Sequence, residues 1–305
     1  MELRHLRYFV AVAEEGSLTL AAEKRLHTAQ PSLSRQMQDL ESDVGVQLFT
    51  RSARGIELTA AGRAFLDHAR LALAQVEAAA IAARRAAYPE HRTLALGFLS
   101  GCEPEWLPAI MHAFRDELPR IEVTISSKHS PQLADGLDSR RLDAALMRPE
   151  EGHPDLVYKL LISEPLIAVL PSDHRLASRE TISPQDLVGE RFIGMADQAP
   201  VLRKLIEDYF RRSQVELIPA HRVEYLSMAM SVVASTRGVA LLPEFARNFL
   251  TWSVTSRPLA GEAPSIDLVL GYHKANTSHV MELLLSRIEE LLQSVSRKSG
   301  SRRDG

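Results

Sequence analysis

From Thr59 to Ala87 the chain runs for about 29 residues without a proline, rich in alanine, with Gly62, Leu66, Ala69, Leu73, Val76, Ala80 and Ala83 at alternating steps of four and three. Such a stretch folds as one long helix with a seam along one side, and it separates whatever precedes it from whatever follows. Leu66, Ala69, Leu73, Val76 and Ala80 are the expected dimerisation positions on that seam. A long surface helix packed on its own chain would carry the same pattern.

Ahead of this helix, residues 1–58 read as three short helices and a hairpin. Leu3, Leu6, Val10 and Ala13 recur at helical spacing, Gly16 ends the first helix and Ser17 is a good N-cap for the second. The second helix carries Leu18, Ala21, Ala22 and Leu26, small enough to let a neighbour approach. Thr28 is placed to cap the third, where Pro31 falls in the first turn and has no amide hydrogen to lose. LFTRSARGIEL, from Leu48 to Leu58, has apolar ends around a Ser-Ala-Arg-Gly tip, as a β-hairpin would.

The third helix is two-faced. Leu33, Met37 and Leu40 share one side, while Pro31, Ser34, Arg35 and Gln38 lie on the other, with Gln30 and Ser32 near its start. Arginine can grip guanine O6 and N7, glutamine can pair with adenine, and serine can use base edges or phosphates. An ordinary solvated face has the same composition, so context decides. A short turn between two helices, followed by a hairpin bearing Arg51 and Arg54, is the arrangement of a winged helix-turn-helix that contacts double-stranded DNA.

After a short polar break at residues 88–92 the pattern changes to alternating strands and helices. Strands are expected at 94–99, 121–125, 143–147, 166–170, 192–195, 239–242 and 268–272. Amphipathic helices are expected around 106–118, 132–140, 202–212, 226–235 and 278–292. This alternation makes an α/β region with a mainly parallel sheet. Residues 297–305, rich in Ser, Arg and Gly, read as a disordered tail.

Composition bears on what the chain binds. With 36 basic and 39 acidic residues the net charge is −3, and residues 1–60 carry 7 basic against 8 acidic side chains. DNA binding must therefore rest on a few placed residues, doubled by dimerisation. Cys102 is the one cysteine and no Cys/His cluster has ligand spacing, so neither an internal disulfide nor a metal is expected, and no cofactor. With no signal-peptide pattern and no apolar run of membrane-spanning length, a cytoplasmic chain with no membrane partner is expected. A small-molecule enzyme on an α/β scaffold is the competing reading. It lacks a G-x-S-x-G elbow, a phosphate loop, a G-x-G-x-x-G turn and an H-E-x-x-H pair. A free-standing solute-binding protein would need export.

The run MELRHLRYFVAVAEEGS, followed by AAEKRLHTAQPSLSRQMQDLE, VGVQLFTR and LTAAGRAFL, resembles the amino-terminal half of a LysR-type transcriptional regulator, and LPSDHRLA, GVALLP and LVLGYHK extend the resemblance across the chain. LHTAQPSLS, ALMRPE and RPLAGEAPSI look most similar to regulators of aromatic-acid catabolism, including phenylpropionate-, benzoate- and muconate-responsive members. The resemblance implies a winged helix-turn-helix over 1–58, a linker helix and hinge over 59–92, and an effector domain over 93–296. That domain would resemble a periplasmic binding protein, with lobe I at 93–162 and 268–296 and lobe II at 163–267. DNA contacts would fall on Thr28, Gln30, Pro31, Ser32, Ser34, Arg35, Gln38, Arg51 and Arg54. An effector would be held by Ser100, Gly101, Cys102, His129, Ser130, Arg148, Pro200, Val201 and Leu202. The implied partners are promoter DNA, a small aromatic or carboxylate effector, RNA polymerase, and further copies of the chain as a homodimer or homotetramer. This chain has Ser100 then Gly101 where the benzoate- and muconate-responsive members have glycine then serine, and His129 where they have threonine.

Overall fold

A computed structural model describes residues 1–52, 55–87 and 92–301, the side chains of 51–52, 81–82, 84–87, 92, 294 and 296–301 excepted. The chain forms two compact units, residues 1–88 and 89–305.

The first unit holds α1 (Leu3–Glu15), α2 (Leu18–Leu20), continued by a π-helical turn over Ala21–Leu26, α3 (Gln30–Val44), the antiparallel hairpin β1 (Phe49–Ser52) and β2 (Gly55–Leu58), and α4 (Ala60–Ala87). Gly16 stops α1 in the left-handed conformation at φ +61°, and the Ser17 hydroxyl accepts from the Leu20 amide at 3.3 Å to start α2. The core of this unit joins Leu6, Phe9 and Val12 to Ala21, Ala22, Leu33, Met37, Leu40, Leu48 and Ala69. Phe9 is its hub, with ring centroids 5.0 Å from Phe49 and 4.9 Å from Phe65, the latter edge-on. The buried stripe of α1 is thus Leu6, Phe9 and Val12, whereas Leu3, part of the expected stripe, is 43% exposed. The large ring of Phe9, caught between two others, fixes the rotation of the helix.

Two expectations for this unit are corrected. The N-cap of α3 is Ala29, which offers no side-chain cap; the Thr28 amide instead donates to the Ala22 carbonyl at 3.1 Å, closing the turn behind the π-helical segment. The early part of the α4 seam is filled by the chain itself. Ala69 is 2% exposed within the core, and Leu66 and Leu73 pack against the same cluster. Gly62 lies so close to the Leu48 carbonyl that a Cβ there would come within 2.0 Å of it, so glycine serves intrachain packing at that position. Val76 and Ala80 stay on the exposed side of α4, as does Leu71.

The second unit is built on a seven-stranded sheet. Its strands are β3 (Arg92–Leu99), β4 (Ile121–Lys128), β5 (Ala144–Met147), β6 (Leu156–Pro171), β9 (Ala240–Pro243), β10 (Val254–Pro258) and β11 (Ser265–His273), in the order β10-β6-β11-β5-β3-β4 with β9 also on β6. β7 (Ile193–Met195) and β8 (His221–Val223) make a separate parallel pair. The helices are α5 (Glu103–Ala113), α6 (Ser130–Asp138), α7 (Pro200–Arg212), α8 (Leu226–Thr236), α9 (His279–Ser286) and α10 (Ile288–Ser301). The large sheet is mixed rather than mainly parallel: β3 pairs in parallel with β4 and β5, but β11 runs antiparallel to β5 and β6, and β9 and β10 antiparallel to β6. The cause is the 16-residue β6, which passes from one lobe into the other while β11 returns beside it.

Each lobe has its own core. Leu96, Phe98, Trp106, Ile110, Phe114, Leu161, Leu268 and Met281 belong to one, and Leu166, Val169, Ile193, Ile206, Phe210, Val233, Leu241 and Ile266 to the other. The last expected helix is broken in two at Arg287. Its guanidinium makes a fork onto both carboxylate oxygens of Glu117, at 2.9 and 2.6 Å, and lies over the Phe114 ring. Beyond the break, buried Leu291 and Val295 anchor α10, which runs on to Ser301. Residues 297–301 of the expected disordered tail are therefore helical, and 302–305 lie outside the described residues.

Candidate functional site

The first candidate surface is α3. Its apolar side, Leu33, Met37 and Leu40, is buried in the core of the first unit, and this leaves Gln30, Pro31, Ser32, Arg35 and Gln38 exposed. Thr28 and Ser34 are half-buried at the edge of that face. Glu41, unnoticed in the sequence, ties the hairpin to the helix: its Oε1 accepts from the amides of Leu48 at 2.7 Å and Phe49 at 3.0 Å. In β1, Arg51 stands opposite Ile56, its side chain outside the described set, and Arg54 lies wholly outside the described residues.

The unfavourable local charge balance has a structural account. Glu14 pairs with Arg25 and, at 2.8 Å, with Arg70. Burial alone would raise the Glu14 pKa, but the hydrogen bonds from Arg25 and Arg70 override it and hold the carboxyl below its ordinary value. Glu2 caps α1, and Glu41 is held by backbone amides. Glu2, Glu14 and Glu41 are thus occupied within the domain, and net charge is a poor guide to what α3 presents.

The second candidate is the narrow cleft between the lobes. Its lining falls at the carboxyl ends of strands: Leu99 and Ser100 after β3, His129 and Ser130 after β4, Arg148 and Glu150 after β5, Met195 and Gln198–Leu202 after β7, Glu224 and Tyr225 after β8, Pro243 and Phe245 at the end of β9. Ligands of open α/β sheets gather at such ends, because loops there are free of the ladder and helices begin there. Ser100, His129, Ser130, Arg148, Pro200, Val201 and Leu202 meet in this cavity. Glu150, Gln198, Tyr225 and Phe245 join them unforeseen. The signal that finds them is the strand ends themselves, but β4 extends past the expected 125 to Lys128, and the three-residue β8 is too short and polar to be seen.

Gly101 and Cys102 do not line the cavity. Gly101, at φ +98°, makes the turn after β3, and its amide donates to Glu103 Oε2 at 2.8 Å. Cys102 is 2% exposed at the start of α5, and burial pushes its thiol up to about 12.

Arg148 is in the cleft wall, but not as the free anion fork that its sequence position suggests. Its Nη2 donates to Glu164 Oε2 at 3.0 Å, its Nη1 reaches the Ile266 carbonyl at 3.5 Å, and its guanidinium lies over Phe245. Burial raises the Glu164 pKa, opposed by the charge and hydrogen bond of Arg148. The positive charge of Arg148 is thus already balanced by a carboxylate from β6. The Arg148 amide donates to the Ser130 hydroxyl at 3.0 Å. What faces an anion in this cleft is backbone: α6 and α7 both start here, N-capped by His129 and Ala199 with no side-chain acceptor for their first amides.

His129 is 7% exposed, its ring 4.7 Å from that of Tyr225 across the cleft. Burial lowers its pKa, opposed by the charge of Glu224, so the imidazole is biased towards neutrality. Glu150 is shifted the other way, up to about 7, chiefly by burial.

A DNA-reading winged helix joined to a two-lobed ligand cleft defines a one-component, effector-responsive transcription regulator. Residues 3–63 match the model of the bacterial regulatory helix-turn-helix protein, lysR family, and residues 88–293 match the LysR substrate binding domain. The chain belongs to the LysR family of transcriptional regulators, and its class is DNA-binding regulator rather than enzyme. The Hca operon transcriptional activator HcaR of Escherichia coli (strain K12) is 37% identical over 297 residues, spanning 97% of this chain and 100% of that protein. Full-length BenM superposes with a TM-score of 0.60 at 26% identity, covering 98% of each chain. Full-length CbnR complexed with its target DNA superposes at 0.56 and 26% identity, covering 96% of this chain and 100% of that one.

Proposed function

We propose that the chain reads double-stranded promoter DNA by placing α3 in a major groove, as a homodimer or a homotetramer of two such dimers, and that a small aromatic or carboxylate effector held in the interlobe cleft alters the assembly and its contact with RNA polymerase. The observation that carries the DNA reading is the division of α3 into a buried Leu33-Met37-Leu40 side and an exposed Gln30-Pro31-Ser32-Arg35-Gln38 side. CbnR, similar along its whole length, has been seen with target DNA. The effector reading is supported by two helix starts, those of α6 and α7, opening without side-chain caps into one cavity. Val76 and Ala80, exposed on α4, are the seam positions left for a second copy. An effector acts only through a difference in its affinity for two states of the assembly.

The test is selection of duplexes from a random pool, followed by binding measurements at rising salt. A preferred, partly palindromic sequence is expected, with Arg35→Ala losing about 1–3 kcal/mol of its discrimination. Equal affinity for selected and random duplexes at physiological salt overturns the reading.

A further inference from the structure

Resting on the reading of the cleft as the effector site, we infer that its ligand is a small carboxylate that also carries a hydrogen-bond-donating substituent, a hydroxyl or an amino group, received by Glu150 and His129. Two observations independent of the helix starts lead there. His129 is 93% buried, lines the cleft, and has its Nε2 atom without a partner; the Glu150 carboxylate lines the same cavity with Oε1 buried and equally without a partner. Buried polar atoms are normally satisfied, and leaving one unpaired costs about 1–3 kcal/mol. Two such atoms on residues lining one cavity mark a pole that a ligand completes.

The polarity of that pole follows from the groups around it. Arg148, the cation of the cleft wall, is paired with Glu164, so it leaves no excess positive charge for a second anionic group. Glu150 and Glu224 both line the cavity, Glu224 accepting from the Gln198 amide at 3.3 Å. A ligand with nothing but a carboxylate and an apolar ring would bury Glu150 Oε1 against carbon. A hydroxyl suits either atom, since it donates to a carboxylate and exchanges a hydrogen bond with imidazole in either tautomer. An amino group likewise donates to the carboxylate. The stack of His129 on Tyr225 holds the imidazole plane fixed beside an aromatic ring, as a receptor for a flat substituted ligand requires.

The experiment is isothermal titration of the full-length protein with matched pairs: benzoate against its ring-hydroxylated and ring-aminated isomers, and 3-phenylpropionate against its ring-hydroxylated isomers. The substituted member of at least one pair is expected to bind about tenfold or more tightly, because a site built around a hydrogen bond rejects the analogue lacking it. His129→Phe, which keeps a ring on Tyr225, and Glu150→Gln are each expected to shrink that ratio severalfold. Equal affinities within every pair, with binding retained, overturn the inference and leave the effector cleft standing. A preference that both variants preserve also overturns it. Absence of binding by every member, plain and substituted, overturns the carboxylate-effector reading on which the inference rests.

Discussion

The reading helix and the effector cleft solve recognition in opposite ways. On α3 the residues proposed to touch DNA fall within nine positions of one helix, Gln30 to Gln38, backed by three buried apolar side chains and left largely open to solvent. In the cleft the lining comes from six strand ends spread from Leu99 to Phe245, and its polar groups run from buried His129, Ser130 and Arg148 to exposed Gln198 and Glu224. A surface that reads a long polymer can rely on exposed groups repeated by symmetry. A cavity that selects a small molecule must hold its polar groups in place, as Glu164 holds Arg148 here.

The largest test of this contrast is Phe9→Ala. Deleting a ring packed between Phe49 and Phe65 is expected to cost about 3–5 kcal/mol in the first unit while leaving ligand titration by the cleft unchanged. Urea unfolding read alongside calorimetry checks it, and parallel loss of both activities would show that the two units do not stand independently.

Glu164→Gln comes next, at about 3 kcal/mol, because the change removes one charge of a buried pair and leaves Arg148 uncompensated. The freed guanidinium is then expected to bind plain carboxylates more tightly than the wild type does. Weaker folding with tighter anion binding is a signature that loss of packing alone does not produce. Glu41→Ala, at about 1–2 kcal/mol, releases the amides of Leu48 and Phe49 and should weaken binding to all duplexes evenly, in contrast to the sequence-selective loss from Arg35→Ala.

The last expected effect is one of pH. Glu150 keeps its proton up to about 7 in the folded chain, against an ordinary value of 4.5. Between those values the folded state holds more protons than the unfolded one, so this residue's contribution is full below about 4.5 and is lost as pH rises through about 7. The urea midpoint of the wild type should fall more than that of Glu150→Gln between pH 5 and pH 8. Identical slopes would remove the buried carboxyl from the account.

The same contrast explains what could be read from the sequence. A single helix writes its faces at a fixed period, so Leu33, Met37 and Leu40 were legible as core and Arg35 and Gln38 as surface. The period fails where one bulky ring decides, as at Phe9, and where a glycine such as Gly62 is needed for closeness instead of a seam. Arg148 was visible at a strand end, but its partner Glu164 lies on a strand that leaves for the other lobe, and no local spacing connects them. Glu150 and Tyr225 were missed because they become neighbours only when the sheet is assembled. Cys102 was drawn into the site by position and excluded by depth.

That buried thiol has a practical consequence for experiments on motion. The chain has one cysteine, and at 2% exposure with its ionisation pushed to about 12, it supplies almost no thiolate near neutral pH. Maleimide or spin-label reagents should therefore ignore the native chain and react with cysteines introduced at exposed positions, such as Val188 on lobe II, 58% exposed. Interlobe distances can be followed with a dye pair on the wild-type background, with no native thiol to remove.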